Sequence, residues 1–311
     1  MILPQRQNIF DPIVLFPPVY KKPGVTNPEQ TSIDEGLYAY DTISPTKRLK
    51  LLLGVRGVRD TEIVGSREST NYVTSPAVGA LFDVAPATTL FASYMEGLEA
   101  GGTAPANAAN ANVVLPPAIS KQKEIGIRDS HIQGLSLSAS YFDILRGNAV
   151  TDPVTNIFGY SGNLSYKGVE ATMSYDISRN WQITGAVLRL NARQNSPEQP
   201  LIDGRVPENT PDWNGNIGVS YRVPSVAGLT LRGGIRSISK RPVNAQDQGY
   251  IPGYTLFEAG ASYATLINGR RVSFQLSVDN LGNKRYWNSV TTGTYGIGMD
   301  RSIRFSAKID L

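Results

Sequence analysis

The stretch that decides the fold is "VEATMSYDISRNWQITGAV", residues 169–187. Val169, Ala171, Met173, Tyr175 and Ile177 alternate with Glu170, Thr172, Ser174 and Asp176. A period of two puts one set on each face of a strand, so this segment has an apolar side and a polar side. "SRN" (178–180) then turns the chain, and a second strand begins near Trp181.

The same pattern recurs along the chain. Ile217, Val219 and Tyr221 alternate with Asn216, Gly218 and Ser220. Leu229, Leu231, Gly233 and Ile235 alternate with Thr230, Arg232, Gly234 and Arg236. Val272, Phe274, Leu276 and Val278 alternate with Ser273, Gln275, Ser277 and Asp279. The alternation predicts thirteen strands, near 31–43, 47–59, 75–84, 88–98, 120–129, 134–145, 156–177, 180–193, 209–223, 228–240, 253–265, 269–281 and 300–311. Short turns such as "SPTK", "VAPA", "DSHIQ", "PSVAG" and "TLIN" alternate with long segments such as 99–119, 194–208 and 241–252. That arrangement places tight turns at one end of an up-and-down antiparallel sheet and long loops at the other.

Strands of about ten residues, short turns at one end, long loops at the other and one apolar face together describe a transmembrane β-barrel. Lipid offers no hydrogen bonds to the backbone, so strands cross it only as a closed wall. Arg232, Arg236, Glu170 and Gln275 then belong to a wet lumen. Tyr141, Tyr175, Tyr221, Tyr263, Trp181 and Phe305 are candidates for aromatic girdles. In the last strand, Ile303, Phe305, Ala307, Ile309 and Leu311 face lipid and close the barrel, with Arg304, Ser306, Lys308 and Asp310 inward.

Composition excludes several functions. The 30 Lys and Arg against 26 Asp and Glu are dispersed, which speaks against a nucleic-acid interface. No cysteine and one histidine, His131, leave neither a zinc site nor a Ser-His-Asp triad. Adjacent carboxylates such as Asp34 and Glu35 fall on opposite strand faces, and no enzyme is expected. No 18-residue apolar run exists to form a membrane helix, and the first residues carry no secretory signal.

Several stretches resemble the C-terminal barrel half of TonB-dependent siderophore receptors: "EGLYAYDTI" (35–43), "RLKLLLGVR" (48–56), "SKQKEIGIR" (120–128), "YKGVEATMSYDISRNWQITGAV" (166–187), "NTPDWNGNIGVSYRVP" (209–224), "IPGYTLFEAGASY" (251–263) and "VDNLGNKRYW" (278–287). The resemblance covers about residues 29–311, with 1–28 read as an outer-loop segment. It implies a 22-stranded barrel of which this chain is a C-terminal portion, with the plug domain and the TonB-contacting box lying outside these residues. It implies uptake of ferric siderophores across the bacterial outer membrane. Iron is then cargo and no cofactor is bound directly. The partners implied are the siderophore, outer-membrane lipid and lipopolysaccharide, the barrel-assembly machinery, and TonB through the plug. A passive porin-like channel and a non-functional truncated receptor remnant are the alternatives. The family usually ends on an aromatic residue, where this chain has Leu311, and Gly282 stands where an aromatic is usual.

A receptor of this kind binds its ligand without reacting with it. Bulky chelates offer surfaces on which Tyr and Trp stack and negative groups with which Arg pairs. The outer-loop aromatics Phe158, Tyr160, Trp213, Tyr250, Trp287 and Tyr295 are therefore the candidate contacts, with Arg232 and Arg236 as lumen-facing anchors.

Overall fold

The computed structural model describes residues 30–65, 67–152, 154–291 and 294–310. The segment 1–28 and Leu311 lie outside the described residues. Among the described residues seventeen strands follow one another: β1 Gln30–Ile43, β2 Leu49–Val64, β3 Arg67–Ala85, β4 Thr88–Glu99, β5 Ala118–Asp129, β6 Leu135–Thr151, β7 Phe158–Asp176, β8 Trp181–Asn195, β9 Trp213–Arg222, β10 Leu229–Ile238, β11 Arg241–Pro242, β12 Tyr250–Ile251, β13 Tyr254–Ile267, β14 Arg270–Asp279, β15 Trp287–Thr291, β16 Thr294–Ile297 and β17 Ser302–Ile309. Thirteen of them form one antiparallel up-and-down sheet, with β1 to β10 in order and then β13, β14 and β17. The remaining four make two ribbons, β11–β12 and β15–β16, inside the long loops after β10 and β14.

Each of the thirteen expected strands is present, but their outer ends differ. β2 was expected to stop near residue 59 and β3 to start near 75; they run on as a paired ribbon to Val64 and Arg67. β6 and β7 likewise continue to Thr151 and Phe158. Not every outer connection is therefore long, because two of them are short links at the tips of protruding ribbons. Beyond the membrane no lipid demands an apolar face, and the extended part of β2 buries polar residues such as Asp60, Thr61 and Glu62, so the alternation that marks a strand fades there.

Register fixes the two faces. Paired residues in an antiparallel ladder point the same way. Val272, Phe274, Leu276 and Val278 of β14 face Ile309, Ala307, Phe305 and Ile303 of β17, while Ser273, Gln275, Ser277 and Asp279 face Lys308, Ser306, Arg304 and Ser302. One apolar row crosses six strands as Trp181, Tyr221, Leu231, Ala261, Leu276 and Phe305. The neighbouring row reads Gln182, Ser220, Arg232, Gly260, Ser277 and Arg304. Ile303 and Phe305 leave 67% and 68% of their surface uncovered, an exposure that only a hydrocarbon environment suits. Among the described residues no helix is long and apolar enough to cross a membrane.

The turns at the opposite end from the long loops are built from local chemistry. Asn268 and Gly269 both take positive φ, 52° and 77°, as a two-residue turn between right-twisted strands requires. Trp181 and Tyr221 stack at 4.3 Å near this end, forming part of an aromatic girdle.

Candidate functional site

Two regions bear on ligand binding: the upper part of the polar face, and the loops above it. On β10, Arg232 and Arg236 point to the lumen on either side of Gly234. Glu258 of β13 pairs with Gly234 and lies over it; a Cβ at 234 would stand 2.6 Å from its Oε1. A carboxylate thus sits over the ladder position between the two arginines, and neither arginine takes part in any of the ion pairs among the described residues. A groove of about 290 Å³ holds Arg232, Glu258, Gln275 and Asp279. A second, of about 230 Å³, lies nearer the loops and holds Arg236, Glu258, Tyr286, Met299 and Arg304. Asp279 and Arg304 form an ion pair there.

Above these grooves the outer loops are tied together by Arg241. Its guanidinium is buried, and it donates from Nη1 to the carbonyl of Asn288 at 2.6 Å and from Nη2 to the carbonyl of Trp287 at 2.7 Å. A third bond runs from Nη1 to Asn209 Oδ1 at 3.2 Å. Asn209 returns a backbone N–H to the Pro242 carbonyl at 3.0 Å and accepts from the Val290 N–H at 3.3 Å. Three loops, 196–212, 239–253 and 280–301, therefore meet at one cation. Its pKa is drawn down by burial, and the π face of Tyr254 lies 5.6 Å away. Beneath it Ile251, Trp287 and Val290 form a small apolar core with Tyr295 and Val243 against it.

The "VDNLGN" stretch gains a physical reading in this loop. Asn280 and Asn283 both adopt left-handed φ near 50°. Asn280 donates from Nδ2 to the carbonyls of Lys284 and Met299 at 2.8 and 3.0 Å and accepts the Lys284 N–H at 2.8 Å. One amide thereby holds both ends of the loop and places Tyr286, whose ring lies 4.2 Å from that of Tyr254, over the upper groove.

The six aromatic candidates separate into three groups. Trp287 is 4% exposed and packs at 5.3 Å against Tyr295, so both serve the loop core. Tyr250 is exposed in the same assembly, with the Lys240 ammonium 4.2 Å over its ring; a hydrogen bond to Asp247 raises its hydroxyl pKa. Phe158 and Tyr160 stand elsewhere, against the loop 100–117. Asn110 exchanges two 2.8 Å hydrogen bonds with the Phe158 backbone, and the Tyr160 hydroxyl donates to the Pro116 carbonyl at 2.9 Å. Trp213 pairs with Arg189 on the same face as Val187 and Ile217, the outward face of the wall. Sequence reasoning did not single out Arg241, Asn209 or Tyr286. Arg241 and Trp287 lie 46 residues apart, and only the folded loops bring them together.

The family described as "TonB dependent receptor-like, beta-barrel" matches residues 5–281. The chain belongs to that family. This TonB-dependent receptor barrel is 26% identical to the ferrichrome receptor FcuA of Yersinia enterocolitica over 322 residues, spanning 97% of the chain and 42% of the relative. It is 23% identical to the metal-pseudopaline receptor CntO of Pseudomonas aeruginosa over 295 residues, 87% of the chain and 40% of that receptor. Among solved structures it resembles BauA, the ferric preacinetobactin receptor of Acinetobacter baumannii, with 26% identity and a TM-score of 0.77 over 91% of the chain and 43% of that protein. The copper transporter OprC shares the fold at 16% identity and a TM-score of 0.67. The chain spans about two fifths of the length of the relatives it matches. It is part of an outer-membrane barrel, in a family of transporters rather than enzymes.

Proposed function

We propose that this chain is the C-terminal barrel portion of a TonB-dependent receptor that takes up a ferric siderophore. The observation that carries the reading is the placement of Arg232 and Arg236 on the lumen face, below outer loops held as one assembly by Arg241. A bulky anionic chelate entering between the loops meets aromatic surface at Tyr250 and Tyr286 and then the guanidinium groups in the upper grooves. The names of the relatives support iron-chelate cargo, since FcuA is a ferrichrome receptor and BauA a ferric preacinetobactin receptor. Energy for release comes from TonB through a plug domain inside the lumen.

The test is uptake of radioactive iron by iron-starved cells, supplied as hydroxamate, catecholate or mixed chelates. Deletion of the gene abolishes uptake of one chelate class, and removal of TonB has the same effect. Unchanged uptake of every ferric chelate, with loss of copper uptake instead, contradicts the reading. Diffusion of small solutes through the protein without TonB contradicts it in favour of a passive channel.

A further inference from the structure

Arg241 joins the last three outer loops, and hydrogen bonds carry the same construction back along the chain. Loop 100–117 is fastened to the tip of the β6–β7 ribbon by the Asn110 and Tyr160 bonds and by two more. The Ala109 N–H donates to the Asn156 carbonyl at 2.7 Å, and Asn156 Nδ2 donates to the Asn107 carbonyl at 2.8 Å. Loop 196–212 is fastened to 239–253 by the Asn209 N–H on the Pro242 carbonyl and by the buried Gln194, whose Nε2 donates to the Ala245 carbonyl at 2.6 Å. Two loop groups result: 100–117 with the β6–β7 ribbon, and 196–212 with 239–253 and 280–301.

The two groups meet where that ribbon touches the start of 196–212. The register of β6 and β7 shifts between Gly147 and Ala149, and this bulge leaves Asn148 and Ser161 outside the ladder. Both bond to Ser196, which is fully buried. Its Oγ accepts from Asn148 Nδ2 at 3.1 Å and donates to the Ser161 carbonyl at 3.0 Å. The Ser196 N–H donates to Asp203 Oδ1 at 2.8 Å, which fixes the residue from the loop side as well. Gly162 permits the close approach: its φ is 72°, and a Cβ there would stand 1.9 Å from the Asn195 carbonyl oxygen. Parting this seam strands an amide, a hydroxyl and a carbonyl where water does not reach, whereas rocking both groups together breaks none of these bonds.

We infer that the outer loops from 100–117 to 280–301 move as one body, and that the Asn148–Ser196–Ser161 contact is the joint coupling its two halves. Phe158 and Tyr160 in one half then shift together with Tyr250 and Tyr286 in the other. The mouth of the barrel is regulated as a unit and not loop by loop. That consequence for cargo rests on the uptake reading; the coupling itself does not.

The test uses the intact receptor in lipid vesicles, with nitroxide pairs on cysteines introduced at exposed positions. Asn107 with Leu201 spans the joint, and Leu201 with Arg285 lies inside the second half. Double electron–electron resonance reads one narrow distance distribution for each pair. Asn148→Ala, or Gly162→Ala as a wedge against the Asn195 carbonyl, makes the Asn107–Leu201 distribution about twofold wider, as for a segment released from its tertiary ties, and leaves Leu201–Arg285 as it was. Arg241→Ala does the reverse. Heat-modifiable gel mobility shows that each variant is folded. A broad or split Asn107–Leu201 distribution in the otherwise unaltered receptor, no widening in either joint variant, or equal widening of both pairs overturns the inference. No chelate enters these measurements, so failure of the uptake reading is seen separately.

Discussion

Phe142 of β6 leans over Gly168 of β7 on the lumen face of the wall. A Cβ at Gly168 would stand 2.6 Å from Cζ of that ring and 2.7 Å from the Arg189 carbonyl oxygen. The aromatic covers backbone that glycine leaves bare, and the same device recurs where Phe91 lies over Gly126, with the Arg128 guanidinium 4.7 Å above the ring. Gly168→Ala therefore overpacks the joint and costs about 1–3 kcal/mol. It appears as a lower temperature for the shift from folded to unfolded gel mobility of the intact receptor. In a Phe142→Ala background the same substitution costs less, because the carbonyl clash remains but the ring clash is gone.

Neighbouring positions on β14 respond oppositely to charge. Leu276→Arg places a guanidinium on the lipid face and costs about 2–4 kcal/mol near the bilayer midplane. Gln275→Arg, one residue away, points into the lumen and leaves folding yield in lipid vesicles unchanged. Equal losses at the two positions contradict the assigned faces.

Arg241→Ala removes the donor from two loop carbonyls and costs about 1–3 kcal/mol of local stability. Hydrogen exchange accelerates in 239–253 and 280–301 while the strands of the large sheet keep their protection. Arg241→Lys does not restore it, because an ammonium cannot span the carbonyls of Trp287 and Asn288 and the Asn209 amide as the planar fork does. A variant whose loops exchange like wild type argues against Arg241 as the tie.

If the upper grooves receive the ligand, Arg236→Gln and Tyr286→Ala each weaken ferric-siderophore binding by about tenfold, the scale of one charge-assisted hydrogen bond or one stacked ring. Trp213→Ala, on the outward face, leaves binding unchanged. Equilibrium binding to whole cells at 4 °C separates these effects from transport.

The wall was legible in the sequence because lipid on one side and water on the other enforce a strict period of two. All thirteen sheet strands follow from it. The ribbon β2–β3 beyond residue 59 was not legible, since both its faces meet polar surroundings: Glu35 pairs with Arg59 on one face while Asp60 and Glu62 are buried on the other. The loop assembly left still less trace. Aromatic side chains in loops signal something to be packed or bound, but not which; Trp287 proves to be core and Tyr250 surface. Arg241 gave no signal at all, because its partners are backbone carbonyls, which every residue carries.

The central claim is a two-faced wall in the outer membrane, and these 311 residues hold no cysteine of their own to compete with an introduced label. Single cysteines at positions 272–279 of β14 in the intact receptor carry a nitroxide, and collisions with oxygen and with a water-soluble nickel chelate are measured in lipid vesicles. Oxygen accessibility peaks at Val272, Phe274, Leu276 and Val278 and dips at Ser273, Gln275 and Ser277, whereas nickel accessibility is lowest at the four apolar positions. Accessibilities that rise and fall together, or that show no period of two, would contradict the account.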